Sequence, residues 1–518
     1  MNSLYMRLQQ SKVGKIFFDK DIYKGLCVAG FMLSPSVLFC FYPKIVSLIF
    51  ILWGGVILLF DILTERRSLK PSYSIFLALF CVGYAVTFVF YGQNNIISTI
   101  HVFIWAIIEF FLLFAFNDGK SCGDIIKSLS RINVPVVAAA ALAGLSSAVL
   151  YLCKLSVVMP DPEGLNTAWV FGVTNGRSSG IFNNPIPLAA AMYIGMAACI
   201  YNFLYRRYKR SKFGFKDILY LFVLVICYIN IQTTLTRTYV YGAIAFVGVA
   251  AGIYAMIALK GKRGAVVRWC ACLLACAASV AVMFGLRFVV QQTVPRLLAG
   301  RDPIIYVNGN RVVDGKVSEE ESELIEKWNL DADITMERDE ISRLPSFFYP
   351  RNELWRVAMQ VLPHSPVLGF TSGNLESSSL EYGSGEYFEK SWKTGIPTYH
   401  NAYVDIAVSS GLLGLAIILL FLIFVFVRSL RAIVPARAAF EAGQGKFYAL
   451  MCAYCIVHVF FVSMFFGVLL FTNISVCIYF WIVLGAMNAY NQQLLSAPER
   501  LSVAALFRTR GKKAKEVC

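Results

Sequence analysis

The chain has 518 residues, 58% hydrophobic and 15% charged, with a formal net charge of +16 and a mean hydropathy of +0.63. Soluble globular proteins carry roughly 25% charged residues, so this composition excludes an ordinary soluble domain and indicates a polytopic membrane protein. The basic residues lie in short connections between apolar runs, a distribution that excludes a nucleic-acid-binding footprint.

A helix needs about 20 mostly apolar residues to cross a bilayer. About twelve runs meet that need, at 24–42, 45–63, 73–91, 97–116, 133–153, 186–205, 217–234, 239–259, 268–290, 402–427, 447–468 and 470–489. Lipid offers no partner to bare backbone groups, so these runs are expected to be helices. A β-barrel would instead alternate over segments of about ten residues. The expected fold is an all-α polytopic membrane protein of about 12 transmembrane helices. The first run has the length of a span and follows a charged stretch, so it reads as an uncleaved insertion signal.

Lys and Arg set the orientation. With the N-terminus cytoplasmic, the cytoplasmic segments hold Arg66, Arg67 and Lys70; Lys120, Lys127 and Arg131; and Arg206, Arg207, Lys209, Arg210, Lys212 and Lys216. They continue with Lys260, Lys262 and Arg263; Arg428, Arg431 and Arg437; and a basic tail from Arg508 to Lys515. This is a positive-inside pattern with both termini cytoplasmic, and it favours contact with anionic membrane lipids. The expected organisation is nine helices in 1–290, a large outside loop in 291–400, three helices in 401–490 and a cytoplasmic tail in 491–518. Residues 291–399 hold 17 Asp and Glu against 11 Lys and Arg, more than half of the chain's 31 acids. Loops of this length are usually functional, and this one is expected to form a small helical subdomain. The other long outside segment is 154–185.

The 14 cysteines are scattered, mostly in apolar runs, and none lies in 291–399, so that loop has no disulfide framework. Cys452-x-x-Cys455-x-x-His458 has metal-ligand residue types. On a helix, however, i, i+3 and i+6 spread over a wide arc, and packing is the better reading. Of the four histidines, His458 lies mid-membrane, His101 opens the fourth run, and His364 sits between two prolines. His400 stands where the hydrophilic loop meets the run 402–427. It is followed by Asn401 and, nine residues on, by Gly411-Leu412-Leu413-Gly414. A histidine there can accept and return a proton near neutral pH. The glycines are expected to let the helix below it pack closely against neighbours.

Two arginines map to the same outside face. Arg177 lies in Asn175-Gly176-Arg177-Ser178-Ser179-Gly180-Ile181-Phe182-Asn183-Asn184-Pro185, and Arg237 in Thr233-Thr234-Leu235-Thr236-Arg237-Thr238. Each reads alone equally well as an interfacial anchor. Together with His400 and a helix N-terminus they suit a phosphate-bearing lipid, because the planar guanidinium fork matches phosphate oxygens.

These segments, with Arg351-Asn-Glu-Leu-Trp355 and Pro366-Val-Leu-Gly369-Phe, resemble the bacterial O-antigen ligase/polymerase superfamily in motif and in order. Thr236 before Arg237 departs from that family's commoner Ser-Arg pair. The resemblance implies a metal-independent, inverting glycosyltransferase of GT-C-type architecture, without a cofactor, in a bacterial inner membrane. Its donor would be a glycan on undecaprenyl pyrophosphate and its acceptor lipid A–core, joined at the periplasmic face. His400 would activate or position the acceptor hydroxyl, and Arg177 and Arg237 would bind the pyrophosphate. The same motifs nominate Arg351, Asn184, Asn401 and Tyr399 as substrate-binding residues. A histidine beside pyrophosphate that stayed protonated would orient the acceptor rather than act as a base.

A polymerase joining two lipid-linked glycans, and a protein O-oligosaccharyltransferase, share this donor and site. A transporter would need ionisable groups or broken helices near the midplane, where the candidates are Glu109 and His458. Asp331-Ala332-Asp333 has the form of a metal–nucleotide-sugar motif but falls in an acid-rich outside loop. Tyr382, Tyr387, Phe388, Trp392 and Tyr399 could stack on sugars or pack within the loop.

Overall fold

The computed structural model describes residues 11–39, 43–64, 66–116, 120–159, 169–209, 212–312, 319–330, 334, 336, 351–385, 388, 398–434, 440–441, 443–471, 474–495 and 501–505. Asp331, Asp333, Tyr387, Trp392, Arg210, Arg437 and the tail from Arg508 lie outside the described residues.

The chain is mostly helical. A short α1 (Lys12–Phe17) leads into α2 (Lys20–Leu33), α3 (Pro43–Thr64), α4 (Ser74–Tyr91), α5 (Ile96–Ile108) and α6 (Cys122–Leu152). After an excursion in strands come α7 (Pro185–Tyr208), α8 (Phe215–Thr233), α9 (Arg237–Ala258) and α10 (Ala265–Leu298). The loop segment contributes α11 (Glu319–Trp328), α12 (Arg351–Val361) and α13 (Leu375–Tyr382). The chain returns through α14 (Ala402–Ile433), α15 (Gly445–Val457) and α16 (Ser475–Leu494).

Among the described residues, ten helices are long and apolar enough to cross a membrane. The remaining two expected spans correspond to α2 and α16. The first of these has 14 residues rather than the expected stretch 24–42. Asp19 caps its start, accepting the N–H groups of Asp21 and Ile22 at 2.9 and 3.2 Å. Pro35 ends it early, because a proline has no N–H to carry the helical ladder on, although Ser34 before it is still helical. The 20-residue α16 is buried along most of its length.

The all-α expectation needs correction. Five strands form one sheet of order β3-β2-β1-β4-β5. They are β1 (Leu155–Met159), β2 (Trp169–Thr174), β3 (Arg177–Gly180), β4 (Ile304–Val307) and β5 (Asn310–Arg311). β1 pairs antiparallel with β2 and parallel with β4, in register Leu155↔Ile304. The sheet thus joins the two long outside segments. Val158, Val170, Ile305, Val307 and Leu330 form its core, with Leu324, Ile325 and Trp328 of α11 packed against it. A purely helical loop subdomain is therefore not what forms. The span expected to end at 290 also continues, as α10, to Leu298.

One of the two glycines below His400 also acts differently from expectation, while Gly414 packs closely against Phe80 of α4 as expected. Gly411 has φ 67° and ψ 177° and interrupts α14. The stretch 366–371 inserts at the break. Phe370 and Thr371 donate their N–H groups to the carbonyls of Val408 and Ser409 at 2.9 and 2.8 Å, and Leu412 donates to Pro366 O at 2.8 Å. A Cβ on Gly411 would stand 1.9 Å from the Val367 carbonyl oxygen, and one on Gly369 would stand 2.5 Å from Gly411 N. Two backbones meet here with no room for a side chain. Thr87 of α4 donates to Leu368 O at 2.7 Å, and Asn95 donates to Gly373 O at 3.1 Å. The loop is thereby tied to α4, α5 and α14 at one end of the bundle.

At the other end of α14, Lys260 donates to Ala432 O at 2.6 Å, and Arg268 donates to the carbonyls of Ile433 and Val434 at 2.9 and 3.0 Å. Cations suit these last carbonyls, where the helix dipole is negative. Arg206 and Arg207 bind Asp217 at 3.1 and 3.0 Å across the α7–α8 connection.

Candidate functional site

The arginine turn is a hairpin tip. Asn175 and Gly176 both have positive φ, 50° and 67°, as a two-residue type I′ connection requires. The Asn-Gly pair between β2 and β3 is therefore the signal from which the strands could have been read. Arg177 opens β3 and reaches the turn before α9. Its Nε donates to Thr234 O at 2.8 Å and its guanidinium to Thr236 Oγ1 at 3.3 Å. Arg237 is the first residue of α9. Two guanidinium groups and the positive end of a helix are thus gathered on one turn, an arrangement that attracts anions.

His400 immediately precedes α14. Asn401 caps that helix, its side-chain oxygen accepting the Tyr403 and Val404 N–H groups at 3.0 and 3.3 Å. The His400 ring is half-buried and meets the Phe466 ring edge-on, 6.0 Å between centroids at 89°. Phe466 in turn stacks on Tyr239, at 5.7 Å and 27°. Tyr239 stands two residues beyond Arg237 on α9. A continuous row of rings therefore links His400 to the arginine turn. Phe466 is free to face both rings because the helix stops at Phe465 and Phe466 itself is extended, with φ −146° and ψ 145°. The sequence hid this pair, since phenylalanines within an apolar run look like lipid-facing residues.

Arg351, at the start of α12, stacks its guanidinium over Phe465 at 5.4 Å. Burial, and then the Arg351 charge, push the His400 pKa down from 6.5 to about 4. The ring is accordingly neutral near pH 7 and able to accept a proton.

Below Tyr403, an apolar groove of about 420 Å³ runs between α14 and the end of α15, lined by Leu419, Phe426, Leu430, Val459 and Phe460 among others. The Tyr403 hydroxyl donates to Val459 O at 2.6 Å and marks the upper end of the groove, three residues from His400.

The other nominated residues have visible structural tasks. Asn184 caps α7, accepting the Ile186 N–H at 2.9 Å, and is exposed. Tyr399 is fully buried in the loop's core with Leu354, Val357, Phe370 and Phe388. Its hydroxyl meets Ser379 Oγ at 2.5 Å, and its carbonyl accepts the Trp355 indole N–H at 3.1 Å. Tyr399 is therefore a packing residue here and not part of a lining, as is Phe388. Tyr382 stacks on His364 at 4.1 Å. His458 is buried, with Nε2 3.1 Å from Val468 O, while Cys452 and Cys455 are buried in α15. His101 Nε2 lies 2.7 Å from Ser47 Oγ.

A family model described as O-antigen ligase matches residues 222–419. This match supports membership of the O-antigen ligase family. The matched segment includes the Arg237 turn, Arg351, His400 and the break at Gly411, and Arg177 precedes it. The match supports a ligase- or polymerase-type role in O-antigen processing, of the kind a glycosyltransferase-like enzyme performs. Its general partners are a lipid-linked glycan and lipid A–core. No curated protein matches the chain.

Proposed function

We propose that the chain transfers a glycan from undecaprenyl pyrophosphate to a hydroxyl of lipid A–core at the periplasmic face of the bacterial inner membrane. The carrying observation is the row of rings that joins His400 through Phe466 and Tyr239 to the turn holding Arg177 and Arg237. The acceptor oxygen attacks the anomeric carbon from the side opposite the pyrophosphate, inverting that centre. The bond from this carbon to the pyrophosphate oxygen breaks. His400 takes the hydroxyl proton, and the departing pyrophosphate gathers charge that Arg177 and Arg237 stabilise. No metal is assigned a part in these steps. The groove below Tyr403 supports a lipid-borne substrate, since it is apolar and its lining begins at Tyr403, three residues from His400. Arg351, Asn184 and Asn401 are proposed to contact substrate around this centre, within a GT-C-type enzyme.

The test is a deletion strain examined by lipopolysaccharide gel. Loss of every polymer band, with lipid A–core intact and lipid-linked polymer accumulating, is expected. Lipopolysaccharide carrying a single repeat unit would make the chain a polymerase instead.

Arg351 gives a second expected result. The glutamine variant removes one of the two causes that lower the His400 pKa, so the pKa rises while burial still holds it below 6.5. A neutral ring is then lost at higher pH. The acidic limb of kcat/KM, which reports the free enzyme, should move toward neutrality. An unmoved limb in Arg351→Gln would separate Arg351 from His400 electrostatically.

A further inference from the structure

Two residues outside the reacting set, Asp405 and Thr398, are linked in a chain of bonds that ends on the backbone of His400. Asp405 lies in the first turn of α14 and is buried. Its Oδ1 accepts the Tyr399 N–H at 2.8 Å, and its Oδ2 accepts the Thr398 hydroxyl at 2.8 Å. The same Thr398 oxygen accepts the His400 N–H at 3.1 Å. A hydroxyl has one proton to donate. With that proton directed to the carboxylate, Thr398 faces His400 with its lone pairs.

An acid in a first helical turn ordinarily serves the helix's own free N–H groups and dipole. Here Asn401 serves the Tyr403 and Val404 N–H groups, and the Asp405 oxygens point back to the residues before His400. His400 needs such support. Its φ is 53°, in the left-handed region that non-glycine residues seldom occupy. That conformation turns the chain from the loop into α14 and sets the ring against Phe466. The segment carrying Phe466 passes close against the same carboxylate. A Cβ on Gly467 would stand 2.2 Å from Asp405 Oδ2 and 2.8 Å from Thr398 Oγ1, so only a glycine lets that backbone close over the acid.

We propose that Asp405, acting through Thr398, is the positioning residue that holds His400 in its left-handed conformation against Phe466 and so sets its reach to the acceptor hydroxyl. This rests on the reading of His400 given above. The test uses the purified full chain with an undecaprenyl-pyrophosphate-linked glycan and lipid A–core, measuring kcat and donor KM. Thr398→Val should lower kcat roughly tenfold or more, with donor KM changed less than about threefold. Thr398→Ser, which restores the hydroxyl, should recover most of the loss, and Gly467→Ala should reproduce the loss. Should Thr398→Val not be recovered folded, Asp405→Asn is read in the same way. Its amide oxygen can still accept from Tyr399, while its nitrogen cannot accept the Thr398 proton. Wild-type kcat in either variant, beside an inactive His400→Ala, overturns the positioning role. An active His400→Ala overturns the reading of the site itself.

Discussion

Replacing His400 by alanine should lower glycan transfer by about 10²–10⁴-fold, the usual contribution of a positioned general base, while leaving the protein folded in the membrane. The ring is half-buried and makes an edge-on contact with Phe466, so its removal costs packing on one side only. The large effect is therefore expected in kcat, with donor KM little changed, because the arginines proposed to bind phosphate are untouched. Arg177→Lys should behave differently. It keeps the charge but loses the fork that meets Thr234 O and Thr236 Oγ1. A loss of roughly 10–100-fold, the equivalent of one or two charged hydrogen bonds, should appear partly in donor KM, since the turn carrying Arg237 loses its brace. A His400→Ala enzyme with full activity in membranes would sink the assignment. A full-activity Arg177→Lys enzyme would leave Arg177 as an interfacial anchor.

The helices were legible because lipid imposes one rule on every span, and a single run of residues suffices to state it. The sheet was harder. Its strands hold two to six residues each, and β1 pairs with β4 across four intervening helices, so no local period announces it. Asn175-Gly176 did announce the β2–β3 hairpin, through the φ > 0 that both positions of a type I′ turn need. Arg177, Arg237 and His400 were legible as polar residues at the edges of apolar runs. Phe466 was not, because its role comes from a helix end that an unbroken apolar run conceals. Asp405 was hidden for the opposite reason. A carboxylate in the first turn of a helix already has an ordinary explanation, and only the bonds to Thr398 and Tyr399 show its oxygens turned elsewhere.

Gly411→Ala should be the most disruptive single methyl addition in the outer half of the molecule. The glycine has φ 67° and ψ 177°, a region essentially closed to other residues, and the new Cβ would overlap the Val367 carbonyl oxygen at 1.9 Å. Backbone strain and overpacking together should cost about 3–5 kcal/mol. Neither partner can yield cheaply. Val367 belongs to the stretch whose N–H groups bond to Val408 and Ser409, and Val408 packs with Phe370 and Tyr399 in the loop's core. Tyr399 is the residue before His400. Parting the inserted stretch from α14 therefore loosens the support of the site as well as the fold. The variant should melt well below the parent in detergent and show reduced transfer even when folded. Gly83→Ala, in the helix α4, is the control. No atom stands within 4 Å of the new Cβ, and its helical backbone carries no strain. It should cost clearly less. Equal melting of Gly411→Ala and the parent would mean that α14 runs through this point unbroken, and the two backbones would then have no reason to exclude a side chain.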